Sequence, residues 1–176
     1  MPFNFKISFN LKLEDKVQDP TSLGRYLGDE YFSFYADEGN ILDIYHLEKN
    51  SGATDLWSLS EIRRIANFTS VNLLIVYRHA IPLGYLAYTI KKGRVSLWTL
   101  TIHPKFRLKG LGAKVIQWLA REYDTYDMAT TLRESDLGSQ IFLRQTNFIC
   151  VKTLKDTFAS PKEDGYFFTR LAESLR

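Results

Sequence analysis

The stretch Arg107-Leu108-Lys109-Gly110-Leu111-Gly112-Ala113-Lys114 sets cations and two glycines directly ahead of an amphipathic repeat. Leu111, Val115 and Leu119 recur at i, i+4 and i+8, with Ile116, Ala120 and Tyr123 on the neighbouring stripe, so a helix is expected over residues 110–123. The first turn of a helix carries N–H groups without intrahelical partners, and its macrodipole makes that end electropositive. Gly110 and Gly112 lack a Cβ and let an anion approach the backbone, while Arg107, Lys109 and Lys114 add formal charge. This chemistry suits a phosphate group. The spelling excludes two common phosphate loops. Lys114 is followed by Val115, not by the Ser or Thr of a P-loop, and Val115 stands where a dinucleotide fingerprint needs Gly or Ala.

The elements that must position this turn read off the flanking residues. Leu73–Tyr77, Leu83–Ile90 and Val95–Ile102 are expected as strands, with a turn at Ala80-Ile81-Pro82 and a hairpin connection at Lys91-Lys92-Gly93-Arg94. His103-Pro104 marks the corner before the phosphate turn. Upstream, a strand is expected within Phe3–Leu13 and another over Tyr31–Tyr35, broken at residues 37–40. A helix then runs through Ile41, Ile44 and Leu47 and stops at Asn50-Ser51-Gly52. Ser58 or Ser60 caps a second helix, with Glu61 near its electropositive start. Downstream, Met128–Arg133 is a strand, and Leu137–Thr146 is a short helix with Ile141 and Phe142 inward. Ile149–Leu154 and Tyr166–Leu171 are closing strands joined by residues 160–165. Cys150 is expected as a small core residue of its strand. The order is an α/β fold with a mixed central sheet, mostly antiparallel but with one parallel pair around the phosphate helix, flanked by helices.

With 176 residues, 45% of them apolar, the chain suits one domain with a substantial core. A net charge of +3 is too mild to argue for nucleic acid, and no apolar run reaches the roughly 18 residues of a membrane span. One cysteine excludes an internal disulfide framework and suits a reducing compartment, so a cytoplasmic location is expected. No metal site is suggested, and the oligomeric state is left open.

The segment Arg107-x-x-Gly-x-Gly112, behind an aliphatic-His-Pro strand end, resembles the pyrophosphate motif of the GNAT superfamily of acetyl-CoA-dependent N-acetyltransferases. Three further segments are similar to that family. Arg133 to Phe148 resembles its "R-x-x-N-x-x-A-x-x-L-Y-x-x-x-G-F" stretch, and Asp164-Gly165-Tyr166 its last strand. Tyr45-His46-Leu47-Glu48 with Leu56-Trp57-Ser58 resembles the branch that acetylates the N-terminal alanine of a small-subunit ribosomal protein. The resemblance covers about residues 31–172. It implies a GNAT domain over residues 26–176, with residues 1–25 an N-terminal extension of unknown role, and acetyl-CoA as cofactor.

Residue by residue, the resemblance implies that backbone groups of Leu100, Thr101 and Ile102 bond the pantetheine arm like an added strand. Amides from Leu108 through Lys109, Gly110, Leu111 and Gly112 to Ala113 would hold the pyrophosphate beside Arg107. Asp136 takes the place of an asparagine near the cofactor. The acceptor implied is a primary amine, in particular a protein or peptide N-terminus. A small-molecule amine is the enzymatic alternative, and an acetyl-CoA-binding regulatory protein without turnover the non-enzymatic one. The branch's usual base and acid positions hold Thr131 and Leu143, which cannot exchange a proton usefully near neutral pH. Glu134 is the nearest ionisable candidate in sequence, and with no tuned base the amine is expected to lose its proton largely to solvent. Glu134 lies past the strand end, and strand alternation sets it on the face opposite Thr131. Trp57 reads either as an acceptor contact or as core.

Overall fold

Continuous apolar runs between Val71 and Ile102 build a three-strand meander buried on both faces, and the rest of the chain is arranged around it. The computed structural model describes residues 4–6, 26–27, 30–34, 38–53 and 55–172. Strands β1 (Asn4–Lys6), β2 (Tyr26–Leu27) and β3 (Glu30–Phe34) lead to helices α1 (Glu38–Lys49) and α2 (Leu59–Ala66). The meander follows as β4 (Val71–Arg78), β5 (Ile81–Lys91) and β6 (Arg94–Ile102). A single 3-10 turn, Pro104–Phe106, precedes helix α3 (Leu111–Glu122). Then come β7 (Asp127–Arg133), α4 (Leu137–Gln145), β8 (Ile149–Ala159) and β9 (Lys162–Arg170). The strands form one mixed sheet in the order β2-β3-β4-β5-β6-β7-β9-β8, and β1 pairs with β6. The expected parallel pair is β6 with β7. Among the described residues, no helix is long and apolar enough to cross a membrane.

Two apolar layers cover the sheet. On one face α3 and α4 bring Val115, Ile116, Leu119 and Leu143 against Leu86, Leu97 and Leu132, all fully buried. On the other, α1 and α2 bring Ile44, Leu47 and Ile62 against Ile75, Tyr85 and Trp98. Helix α2 starts with a full capping box: the Ser58 hydroxyl accepts from the Glu61 amide, and the Glu61 carboxylate accepts from the Ser58 amide.

Several boundaries differ from the sequence expectation. The β4–β5 turn is His79-Ala80, both left-handed, and Ile81-Pro82 already belong to β5. Pro82 sits at the second position of β5, opposite Tyr77 and beside the register shift that skips Leu83, a bulge of the kind that tolerates proline. Ile141 is exposed rather than inward: α4 buries the i, i+3, i+4, i+7 stripe Ser139, Phe142, Leu143 and Thr146, and Ile141 lies off it. Cys150 is exposed rather than core, because β8 is the outermost strand and is exposed along most of its length. Bulges in β8 carry the last hairpin through residues expected as a loop, leaving only Ser160-Pro161 as the turn. The strand expected within Phe3–Leu13 is described only at Asn4–Lys6; Tyr35 and Asp37 lie outside the described residues.

Candidate active site

Strands β6 and β7 run side by side for only three pairs, Arg94↔Asp127, Val95↔Met128 and Ser96↔Ala129. Beyond them the strands part, and β7 continues against β9 alone. The Thr130 hydroxyl donates to the Leu97 carbonyl at 3.1 Å, satisfying the first carbonyl past the break. The β5–β6 register also shifts here: Ala87 faces Thr99, Tyr88 faces Leu97, and Trp98 is the extra residue of a bulge. After the bulge, Leu100 and Ile102 point into the α3/α4 core. Thr101 points the other way, with its hydroxyl 3.5 Å from the Glu48 carboxylate.

A cavity of about 230 Å³ opens at the end of this splay. It brings together Leu100, Ile102, Arg107, Leu108, Gly110, Leu111, Gly112 and Ala113, all singled out from the sequence, and adds Phe106, Phe142 and Gln145. Helix α3 presents its first turn here with no side-chain cap. Gly110, its N-cap, has φ +79°, and a Cβ there would meet nothing within 4 Å. The glycine therefore serves the backbone angle, which other L-residues adopt only at a cost. Leu108 is left-handed as well (φ +58°) and 82% exposed, so two reversals shape the turn ahead of the helix.

Gly112 has a packing role besides the one its spacing suggests. A Cβ at Gly112 would lie 3.2 and 3.3 Å from the Phe142 ring, so this glycine lets α3 pack on α4. Arg107 is likewise more than a surface cation. Its Nε donates to the Ile102 carbonyl and its Nη2 to the Ser51 carbonyl, each at 2.7 Å, and burial draws its pKa below the ordinary guanidinium value. It ties the turn to the loop between α1 and α2. Lys109 is exposed and lies over the Phe106 ring. His103 uses Nδ1 to accept from the Lys105 amide. Burial, helped by Lys105 and Arg107, lowers its pKa and keeps it neutral near pH 7.

Asp136 lies away from the cavity lining and caps α4, accepting from the Ser139 amide at 3.1 Å. Burial pushes its pKa up against the pull of those bonds. Glu134 is exposed at the end of β7, and its carboxylate accepts from the Tyr166 hydroxyl at 3.1 Å. Tyr166 stands opposite Leu132 and packs on the α3/α4 core, so Glu134 and Thr131 face opposite sides of the sheet. Leu143 is fully buried and Thr131 nearly so.

A polar group missed in the sequence lies beneath Thr101. Glu48, 1% exposed, accepts from the Tyr85 hydroxyl and from the Trp57 amide at 3.0 Å. Burial, with Glu48 alongside, raises the Tyr85 pKa well above that of a free phenol. The clue was available: Glu48 falls on the apolar stripe of Ile41 and Ile44, where a carboxylate must have partners. Nearby, Arg133 bridges Asp55 at 2.8 Å and Glu163 at 2.6 Å, joining the α1–α2 loop to the last hairpin.

No family model and no curated protein matches the sequence. Solved structures do match the fold. A probable acetyltransferase of the GNAT family from Chromobacterium violaceum superposes with a TM-score of 0.74 at 13% identity, covering 96% of this chain and 97% of its own. The ribosomal-protein-S18-alanine N-acetyltransferase from Escherichia coli gives 0.70 at 12% identity, over 81% of this chain and 94% of its own. A spermidine N-acetyltransferase chimera from Vibrio cholerae and hSSAT gives 0.71 at 12%, over 84% and 98%. The chain has the GNAT acetyltransferase fold.

Two expected outcomes follow from this geometry. Gly112→Val should cost about 1–3 kcal/mol of stability by displacing the Phe142 ring; a denaturant melt equal to that of the parent protein would contradict this packing. The second concerns pH. Burial raises the Glu163 pKa, but bonds from Arg133 and the Ser135 amide outweigh it and leave the group below its ordinary value. A depressed carboxylate stabilises the fold above its unfolded pKa and loses that contribution as pH falls through the folded one. Glu163→Gln should therefore lower the melting temperature at neutral pH and flatten its decline from about pH 5 to about pH 3. Parallel curves for the two proteins would show that the pair contributes nothing.

Proposed function

We propose that this protein is a cytoplasmic, acetyl-CoA-dependent N-acetyltransferase acting on a primary amine, with a protein or peptide N-terminus as acceptor. The observation that carries the reading is the uncapped, glycine-led first turn of α3 opening on a cavity beneath the parted edge of β6. The fit to a phosphorylated cofactor rests on open space at Gly110 and on helix-start amides with no side-chain cap. Backbone groups of Leu108 to Ala113 would hold the pyrophosphate, with Lys109 adding charge at the rim. Arg107 would act by bracing the turn, since its Nε and Nη2 already bond carbonyls. The edge of Leu100 to Ile102 would align the pantetheine arm, and Asp136 would order α4 beside the site. When bound, acetyl-CoA supplies an activated acetyl thioester.

What the chain itself contributes is position and polarity. Backbone amides near Leu100 suit the developing oxyanion, and the loop of Asp55 and Trp57 would seat the acceptor. The protein-N-terminus reading is supported by the resemblance of Leu56-Trp57-Ser58 and by the fold shared with the ribosomal-protein enzyme. The spermidine enzyme of the same fold keeps a small amine as the alternative acceptor. Glu134 is the candidate base of the sequence reading. Its bond to Tyr166 and its face favour instead direct loss of the amine proton to solvent.

The direct test is calorimetry with acetyl-CoA, in which the parent protein should bind and Gly110→Ala should bind several-fold more weakly; a protein that does not bind acetyl-CoA refutes the reading. With proton loss to solvent, kcat/KM should rise with pH until the acceptor's own amine pKa is reached, and acceptors of different pKa should shift the curve. A plateau near pH 6–7 common to all acceptors would reveal a protein base, and its loss in Glu134→Gln would identify that base as Glu134.

Trp57 is partly buried against Tyr85, at 6.2 Å between ring centroids. If its outer edge meets the acceptor, Trp57→Ala should raise acceptor KM more than acetyl-CoA KM. Equal changes would make it core alone.

A further inference from the structure

The parted edge of β6 is occupied by the chain itself. Strand β1 pairs antiparallel with it, Asn4↔Thr101, Phe5↔Leu100 and Lys6↔Thr99, and also touches β7 across the splay. The opposite edge of the same residues belongs to β5, which sets Tyr85 against Thr101, Leu86 against Leu100 and Ala87 against Thr99. A strand has two edges and each backbone group one direction, so Thr99–Thr101 have no further ladder to offer. The cavity at the start of α3 is lined by Leu100 and Ile102 of this same stretch. An extended, amide-bearing arm running from that cavity along β6 would need the groups that β1 holds.

We infer that β1 is an internal plug: it and the cofactor's amide-bearing arm compete for the edge of Thr99–Thr101, and binding requires that β1 leave. This rests on the acetyl-CoA reading proposed above. The plug is suited to displacement. It contributes three residues to the ladder, and a ladder this short is marginal by itself. The binding-competent fraction of the protein is then the fraction with β1 released, and apparent affinity is reduced by that fraction. The N-terminal segment would thereby set the cofactor concentration at which the enzyme becomes loaded, and anything that captures this segment would activate it.

The test uses the full chain and acetyl-CoA. In Asn4→Pro/Phe5→Pro/Lys6→Pro no residue of β1 keeps an N–H, so the ladder is lost whichever residues donate. Calorimetry should show this variant binding acetyl-CoA roughly fivefold to tenfold more tightly than the parent protein. Equal or weaker affinity, with clear binding by both, overturns the plug and leaves the cofactor reading standing. Absence of binding by both proteins overturns the two together. A second measurement needs no variant: hydrogen exchange at those amides of Asn4–Lys6 that donate to β6 in the parent protein should accelerate on adding saturating acetyl-CoA. Unchanged protection of those amides in the saturated protein shows that β1 stays in place and refutes the inference.

Discussion

The geometry of the site depends on one interruption: the ladder between β6 and β7 ends after three pairs. A parallel pair that continued would bury both edges and leave a closed sheet. Because β7 turns to β9 instead, β6 leaves a row of backbone groups facing a gap, and unsatisfied groups at such a depth are costly. The structure meets that cost group by group. Thr130 serves the Leu97 carbonyl, the bulge at Trp98 re-aims the strand, and β1 covers Thr99 to Thr101. Helix α3 begins at the mouth of the same gap, so its electropositive first turn and the end of β6 share one cavity.

Around this gap, side chains are used chiefly to hold loops. Glu48 fastens the Trp57 amide and the Tyr85 hydroxyl beneath Thr101, Arg107 fastens Ser51 to Ile102, and Arg133 fastens Asp55 to Glu163. All three reach the loop between α1 and α2, from the sheet floor, the α3 turn and the last hairpin. That loop is therefore mechanically coupled to the turn ahead of α3. Buried or half-buried charged groups of this kind are worth little as isolated pairs, but removing one partner leaves the other desolvated and unpaired. Their consequence is positional: movement of the turn at Arg107 is transmitted to the loop at Ser51 through a single guanidinium.

What the sequence made legible was whatever local periodicity and turn chemistry decide. The meander was readable as short apolar runs bounded by turn signals, and the α3 stripe with its glycine-led start as a clean one-sided pattern. The parallel pair followed from chain order. Misreadings came where a neighbour decides. Cys150 looks like core in an apolar strand, yet among the described residues β8 is the last strand of the sheet and Cys150 is exposed on it. Ile141 and Phe142 are adjacent apolar residues, and only the α4 stripe shows which one turns inward. Gly112 lines the cavity, but it also makes room for Phe142, a residue thirty positions along that no local spacing connects to it. Glu48 was legible in principle; its partners Tyr85 and Thr101, on two other strands, were not.

The same reasoning bears on proton transfer. A carboxylate that serves as base must be free to face the amine, and carboxylates on elements bordering the gap are engaged elsewhere. Glu134 meets Tyr166, Asp136 caps α4, Asp55 and Glu163 hold Arg133, and Glu48 lies 1% exposed under Tyr85. His103 spends Nδ1 on its own turn. Thr131 and Leu143 occupy the remaining two places, one with a hydroxyl of high pKa and one without a polar atom. For the proposed acetyl transfer, a site of this composition would gain rate by alignment and by donors for the oxyanion, effects that need no titrating side chain. On that proposal it would leave the protonation state of the acceptor to the acceptor itself, so an amine of low pKa, such as a peptide α-amine at about 8, would suit it better than a lysine-like amine at about 10.4.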